Sequence, residues 1–119
     1  MSMFGTGSPP RAILASIERP NLSVRPLDSR GQPWLLEAAD WRAVLRHLPP
    51  RRYPPAESLP HMEWLHRFLD RLTSVEVATP RPLRELGGAS IAIGDGALWE
   101  LLTYVLSMAM RESAHRQIW

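Results

Sequence analysis

The sequence predicts an α+β fold: an antiparallel four- or five-stranded sheet with one helix packed across it, followed by a C-terminal helical tail. Three observations carry that expectation. The run HMEWLHRFLDRL places Met62, Leu65, Leu69 and Leu72 on one stripe at helical spacing. Two apolar runs, ASIAI and ALWELLTYV, are separated by the tight turn Gly94-Asp95-Gly96, the pattern of a hairpin. Two earlier runs, Trp34 to Glu37 and Ala43 to Arg46, meet near Ala39-Asp40 as a second hairpin.

Residues 1–10 are rich in Gly, Ser and Pro and read as a loose tail. Arg11 to Arg19 has two turns of helical spacing, with Ile13, Leu14 and Ile17 on one face, and Pro20 ends it. Leu22 to Leu27 reads as a short strand in which Pro26 marks the last residue or a sheet edge. Asp28-Ser29-Arg30-Gly31 is a turn signal.

After the first hairpin, Pro49-Pro50 and RRYPPAE form a proline-stiffened connection. Ser58 is the expected N-cap of the main helix, with Pro60 in its first turn and the end near Thr73. Trp64 and Phe68 flank the apolar stripe, Asp70 lies on the exposed side, and Glu63 and Arg67 stand at i, i+4. Thr79-Pro80-Arg81-Pro82 forces extended chain. Strands are expected near Ala89–Ile93 and Leu98–Val105, and residues 106–119 have helical propensity without Gly or Pro. The organisation is thus a tail (1–10), one sheet-and-helix unit (11–105) and a helical tail (106–119).

A chain of 119 residues can bury one core but not two lobes with a cleft between them. It contains no cysteine, which excludes disulfides, thiolate catalysis and cysteine metal sites. All 14 basic residues are arginine. Schiff-base and Walker-type lysines are therefore excluded, and any basic phosphate contact must be an arginine fork. The net charge of +2 is spread among interspersed acids, with no basic stripe suited to nucleic acid. No secretion signal or membrane-length apolar run occurs, and Glu100 interrupts the most apolar segment. A cytoplasmic protein with neither nucleic-acid nor membrane partners is the expectation. His61 and His66 are five residues apart, the wrong spacing for helical metal ligands. Neither Ser58 nor Ser74 sits in a G-x-S-x-G elbow. The five tryptophans read as core and surface residues rather than a base-stacking platform.

From about Leu22 to Val105, the pieces WLLEAADWRAVLR, WLHRFLDRL, ATPRPL and GDGALWELLTYV occur in a telling order. In that order they resemble the N-terminal lobe of the aminoglycoside phosphotransferase and choline-kinase-like family, a kinase-like small lobe of five antiparallel strands and one crossing helix. The resemblance implies ATP as a weakly held cofactor, with Mg belonging to the parent family only. It places Arg46 where the third strand directs a basic residue at nucleotide phosphates. Glu63 is the nearest helix acid to pair with it, although a strict count puts Leu65 at that position. Gly31 and Gln32 fall in the phosphate-covering loop. Glu100, Thr103 and Val105 lie on the strand whose backbone meets the adenine edge.

The family's His-Gly-Asp loop, its downstream asparagine and its metal-binding aspartate do not occur in these residues. The expectation is a lobe cut short of the catalytic half and inactive alone, with surface left for self-association or a partner chain. A small non-catalytic interaction or regulatory protein is the alternative.

Overall fold

The computed structural model describes residues 8–27, 33–72 and 80–105. In chain order these form helix α1 (Arg11–Ala15), strands β1 (Ser23–Pro26), β2 (Pro33–Ala38) and β3 (Trp41–Leu48), helix α2 (Pro55–Arg71), and strands β4 (Ile91–Gly94) and β5 (Ala97–Thr103). The strands make one antiparallel sheet in the order β1-β2-β3-β5-β4, with α2 crossing between β3 and β4 in the chain. The α+β expectation with a five-stranded sheet and a packed helix is met. The expected turn at Asp28–Gly31, the start of the N-terminal tail and the C-terminal helical tail lie outside the described residues.

Both hairpins close where the spacing places them. Ala38 pairs with Trp41 across Ala39-Asp40, and Gly94 pairs with Ala97 across Asp95-Gly96. Asp95 and Gly96 both have positive φ, 51° and 74°, as a two-residue turn matched to strand twist requires. Gly94 is needed for a different reason. A Cβ there would come within 2.8 Å of Ile13, so α1 sits directly on the backbone of β4. The first helix is shorter than its pattern suggests: the Ser16 hydroxyl donates to the Ile13 carbonyl at 2.6 Å and α1 stops at Ala15.

Helix α2 begins three residues earlier than expected. Pro54 is its N-cap and Pro55 opens the first turn with φ already set for a helix, while Glu57 meets the positive end of the dipole. Ser58 is therefore not the cap; its N–H donates to the Pro54 carbonyl at 2.8 Å. Pro60 lies inside the helix, in its second turn, and both it and Ala56, whose carbonyl loses its helical donor, are exposed residues.

The sheet is buried on both sides. On the α1 side Ile13 and Ile17 pack with Leu36, Ala43, Leu45, Trp99 and Leu101. On the other side Met62 of α2 meets Leu48, Ile91 and Leu98, with Leu59, Leu65 and Tyr53 around them. Strand β5 is the centre of the fold. It pairs with β3 along one edge, and with β4 and then residues 81–83 along the other. Burial of both its faces explains why its sequence is apolar almost without alternation. Trp34 contributes an indole N–H that is buried with no hydrogen-bond partner among the described residues.

The rotation of α2 differs from the expected stripe. Met62 and His66 are its buried residues, Leu65 and Leu69 are half-buried, and Trp64 and Phe68 are 53% and 44% exposed. The helix is turned so that a histidine, not a leucine, points deepest into the sheet. Among the described residues no helix is long and apolar enough to cross a membrane.

Leu98 and Ile93 are cross-strand partners on one sheet face, but only Leu98 lies beneath the helix. Leu98→Ala is expected to cost ~2–5 kcal/mol by urea denaturation and Ile93→Ala less than about 0.5. Equal losses would mean that α2 does not cover this end of the sheet. Trp34→Phe removes the unpartnered donor and is expected to leave the midpoint unchanged or raised; a drop of ~2 kcal/mol would show that the N–H has a partner.

Candidate functional site

Facing residues of antiparallel strands share a sheet face, so register alone places Arg46 of β3 beside Glu100 of β5. Both point toward the α2 side. Arg46 Nε lies 3.3 Å from Glu100 Oε2, and the glutamate side chain is only 4% exposed whereas the arginine is 46% exposed. The other carboxylate oxygen, Oε1, is 2.7 Å from His66 Nε2, and His66 is 1% exposed. His66 Nδ1 is in turn 2.7 Å from Ser90 Oγ, in the turn ahead of β4. Four elements thus converge on one buried polar chain, Ser90–His66–Glu100–Arg46.

The chemistry of the groups orders the protons. A carboxylate only accepts, so His66 Nε2 donates to Glu100 Oε1, while Arg46 faces Oε2 as an ion pair. With Nε2 carrying the proton, Nδ1 of a neutral ring accepts from the Ser90 hydroxyl. Glu100 is then met by one donated hydrogen bond and one cation despite its burial, the condition under which a buried carboxylate is tolerated. Arg46 is the exposed end of the chain.

Serine, histidine and glutamate in sequence also make the order of a hydrolytic triad. The surroundings do not complete one. Glu100 is shared with Arg46, and two backbone donors near Ser90 are spent: Gly87 N–H donates to the Ser16 carbonyl and Ala89 N–H to the Leu86 carbonyl. Neither can stabilise an oxyanion. A groove of about 360 Å³ between α2 and this turn is lined by Glu63, Arg67, Arg84 and Ser90, and Arg84 is held by Asp70 at 2.7 Å.

Beyond Arg46 and Glu100, the same face continues as an apolar row, Leu35–Val44–Leu102, each buried. The next row is charged. Arg42 and Arg25 lie 3.0 and 3.7 Å from Glu37, and Arg42 also stands over the Tyr104 ring at 5.7 Å.

The expected site residues divide accordingly. Arg46 and Glu100 are brought together. Glu63 is exposed on α2 and pairs with neither Arg46 nor Arg67; the acid beside Arg46 comes from β5, and the helix contributes His66. Thr103 has its backbone N–H on the Arg81 carbonyl and its hydroxyl accepting from Arg81 N–H, at the C-terminal end of β5. Val105 follows, half-buried. Both faces of this strand are covered, since Leu101 and Leu102 are both buried. Gly31 and Gln32 lie outside the described residues. His66 and Ser90 were not among the expected site residues. The available signal was a histidine one position from the leucine stripe and a glutamate inside the most apolar run, two buried polar groups that need each other. Among the described residues no group of three or more His, Cys, Asp or Glu could hold a metal.

No family model, curated protein or solved structure matches this chain.

His47 occupies the opposite face, with its ring 4.7 Å from Trp99. Burial lowers its pKa from the ordinary 6.5. Below that value the unfolded chain binds a proton that the folded protein resists. This contribution to stability is therefore complete above the unfolded pKa and is lost as pH falls through the folded one. Urea midpoints are expected to fall from about pH 8 to about pH 5, with a shallower slope for His47→Gln; identical slopes would remove His47 as the cause. His66→Ala leaves Glu100 with only the Arg46 cation and is expected to cost ~2–4 kcal/mol, while Glu63→Ala leaves the midpoint where it is.

Proposed function

We propose that this chain is the nucleotide-binding small lobe of a kinase-like phosphotransferase, of the aminoglycoside phosphotransferase type. The observation that carries this reading is the half-exposed Arg46 side chain, paired through Nε with a buried glutamate. An arginine held in this way presents a preset fork to phosphate oxygens. The crossing of α2 between β3 and β4 supports the same reading, as does the antiparallel sheet with its apolar hinge-leading strand. ATP is the proposed ligand, with its phosphates toward Arg46 and its base toward the end of β5 near Thr103 and Val105. Magnesium and phosphoryl transfer belong to the half of the parent family whose motifs these residues lack.

One wall and one cation leave most of a nucleotide in water, so the expected affinity is millimolar, worth ~4 kcal/mol. Titrating ATP into labelled protein should shift resonances around Arg46 and Glu100–Val105. Arg46→Ala should abolish most of the response and Arg67→Ala on the helix surface should not. Equal loss from the two variants, or no shifts, refutes nucleotide binding at this site. Coupled ATPase and aminoglycoside-kinase assays on the 119 residues should read background.

A second reading, an interaction module, draws support from a different place. His61, Trp64 and Phe68 stack along the outer face of α2, with ring centroids 6.1 and 5.7 Å apart and near-parallel planes. An exposed aromatic ridge of this kind marks contact surfaces more often than solvated ones. Sedimentation of the wild-type chain against Trp64→Ala/Phe68→Ala tests it: a concentration-dependent dimer lost in the double variant favours this reading, and a monomer in both removes self-association.

A further inference from the structure

We propose that His66 is a positioning residue for Arg46, acting through Glu100, so that the seating of α2 sets where the arginine fork points. The inference rests on the nucleotide-lobe reading for its ligand but not for its geometry. A direct helix-acid to strand-base pair would join α2 to β3 in one step. Here the helix acid is absent from the site and the link has two steps, His66 Nε2 to Glu100 Oε1 at 2.7 Å and Glu100 Oε2 to Arg46 Nε at 3.3 Å.

Three features make the linkage directional. The His66 ring is fixed at both ends, since Ser90 Oγ lies 2.7 Å from Nδ1. Ser90 is itself pinned to the central strand, its carbonyl accepting from Leu101 N–H at 2.9 Å. The Glu100 side chain, 4% exposed, has no water to turn toward if one donor is lost. Loss of His66 therefore leaves the carboxylate to rotate onto Arg46, drawing the guanidinium inward and away from the open side where a phosphate would approach. Met62, one turn earlier on the same buried face, belongs to the apolar cluster and serves as a control for plain destabilisation.

The test uses the whole chain and reads the Arg46 Nε–Hε resonance, assigned by its disappearance in Arg46→Ala. His66→Gln is expected to shift that resonance and to weaken ATP binding roughly five-fold, whereas Met62→Ala lowers stability and leaves both unchanged. In the Glu100→Gln background, His66→Gln should have no further effect on either reading, because the intermediate that carries it is gone. An unmoved Arg46 resonance in His66→Gln, or an equal shift in Met62→Ala, overturns the proposal. The wild-type protein gives a check that no variant's folding can spoil: imidazole ¹⁵N shifts should report the Nε2–H tautomer, and the Nδ1–H tautomer would overturn the relay. If Arg46 responds to His66→Gln while ATP shifts nothing in the wild type, the relay stands and the nucleotide reading falls. If ATP shifts Arg46 but His66→Gln does not, the nucleotide reading stands and the relay falls.

Discussion

A carboxylate in the middle of an apolar strand constrains this fold more than any other single group. Glu100 sits on β5, the strand paired along both edges, where burial without partners would be costly. Its two oxygens are met by side chains from β3 and α2, and α2 is held in turn by Ser90. The sheet, the helix and the turn before β4 must therefore be assembled together for the charge to be satisfied. The rotation of α2 follows. Turning His66 inward carries Trp64 and Phe68 outward, and the exposed aromatic ridge is the other side of the same constraint.

The two faces of the sheet solve different problems. The α1 face is closed by apolar packing: Ile13 lies over Gly94, and Arg19 stands 4.4 Å above Trp41 while pairing with Glu85, which also accepts from the Trp41 indole. Those contacts hold the chain ahead of β1 against the segment that leads into β4. The α2 face carries the charges in rows set by register, with arginines on either side of Leu35, Val44 and Leu102.

Much of the architecture could be read along the chain because its signals are local. Asp95-Gly96 between apolar runs is a turn in any context, and the Trp34–Glu37 and Ala43–Arg46 runs could pair only as neighbours across Ala39-Asp40. Boundaries were less legible. The start of α2 moved to Pro55 because prolines suit a first turn as well as a serine cap suits its edge, and a pattern of apolar residues cannot choose between them. The end of α1 moved to Ala15 because Ser16 bonds back to the helix, an event invisible to hydrophobic spacing.

What the sequence by itself determined is the set of elements, their order, the arginine-only chemistry of its cations and the placement of Arg46 on the third strand. Tertiary structure alone decided the partner of that arginine. Glu63 and Glu100 are both carboxylates on the expected site list, one near in the helix pattern and one 54 residues along the chain from Arg46. Only the β3–β5 register brings Glu100 alongside it, and only the rotation of α2 brings His66 to the other oxygen while leaving Glu63 in solvent. Hydrophobic periodicity specifies which side of a helix is buried to within about one residue, some 100° of rotation. The choice between leucine and histidine at the deepest position fell to the unsatisfied carboxylate on the strand beneath it.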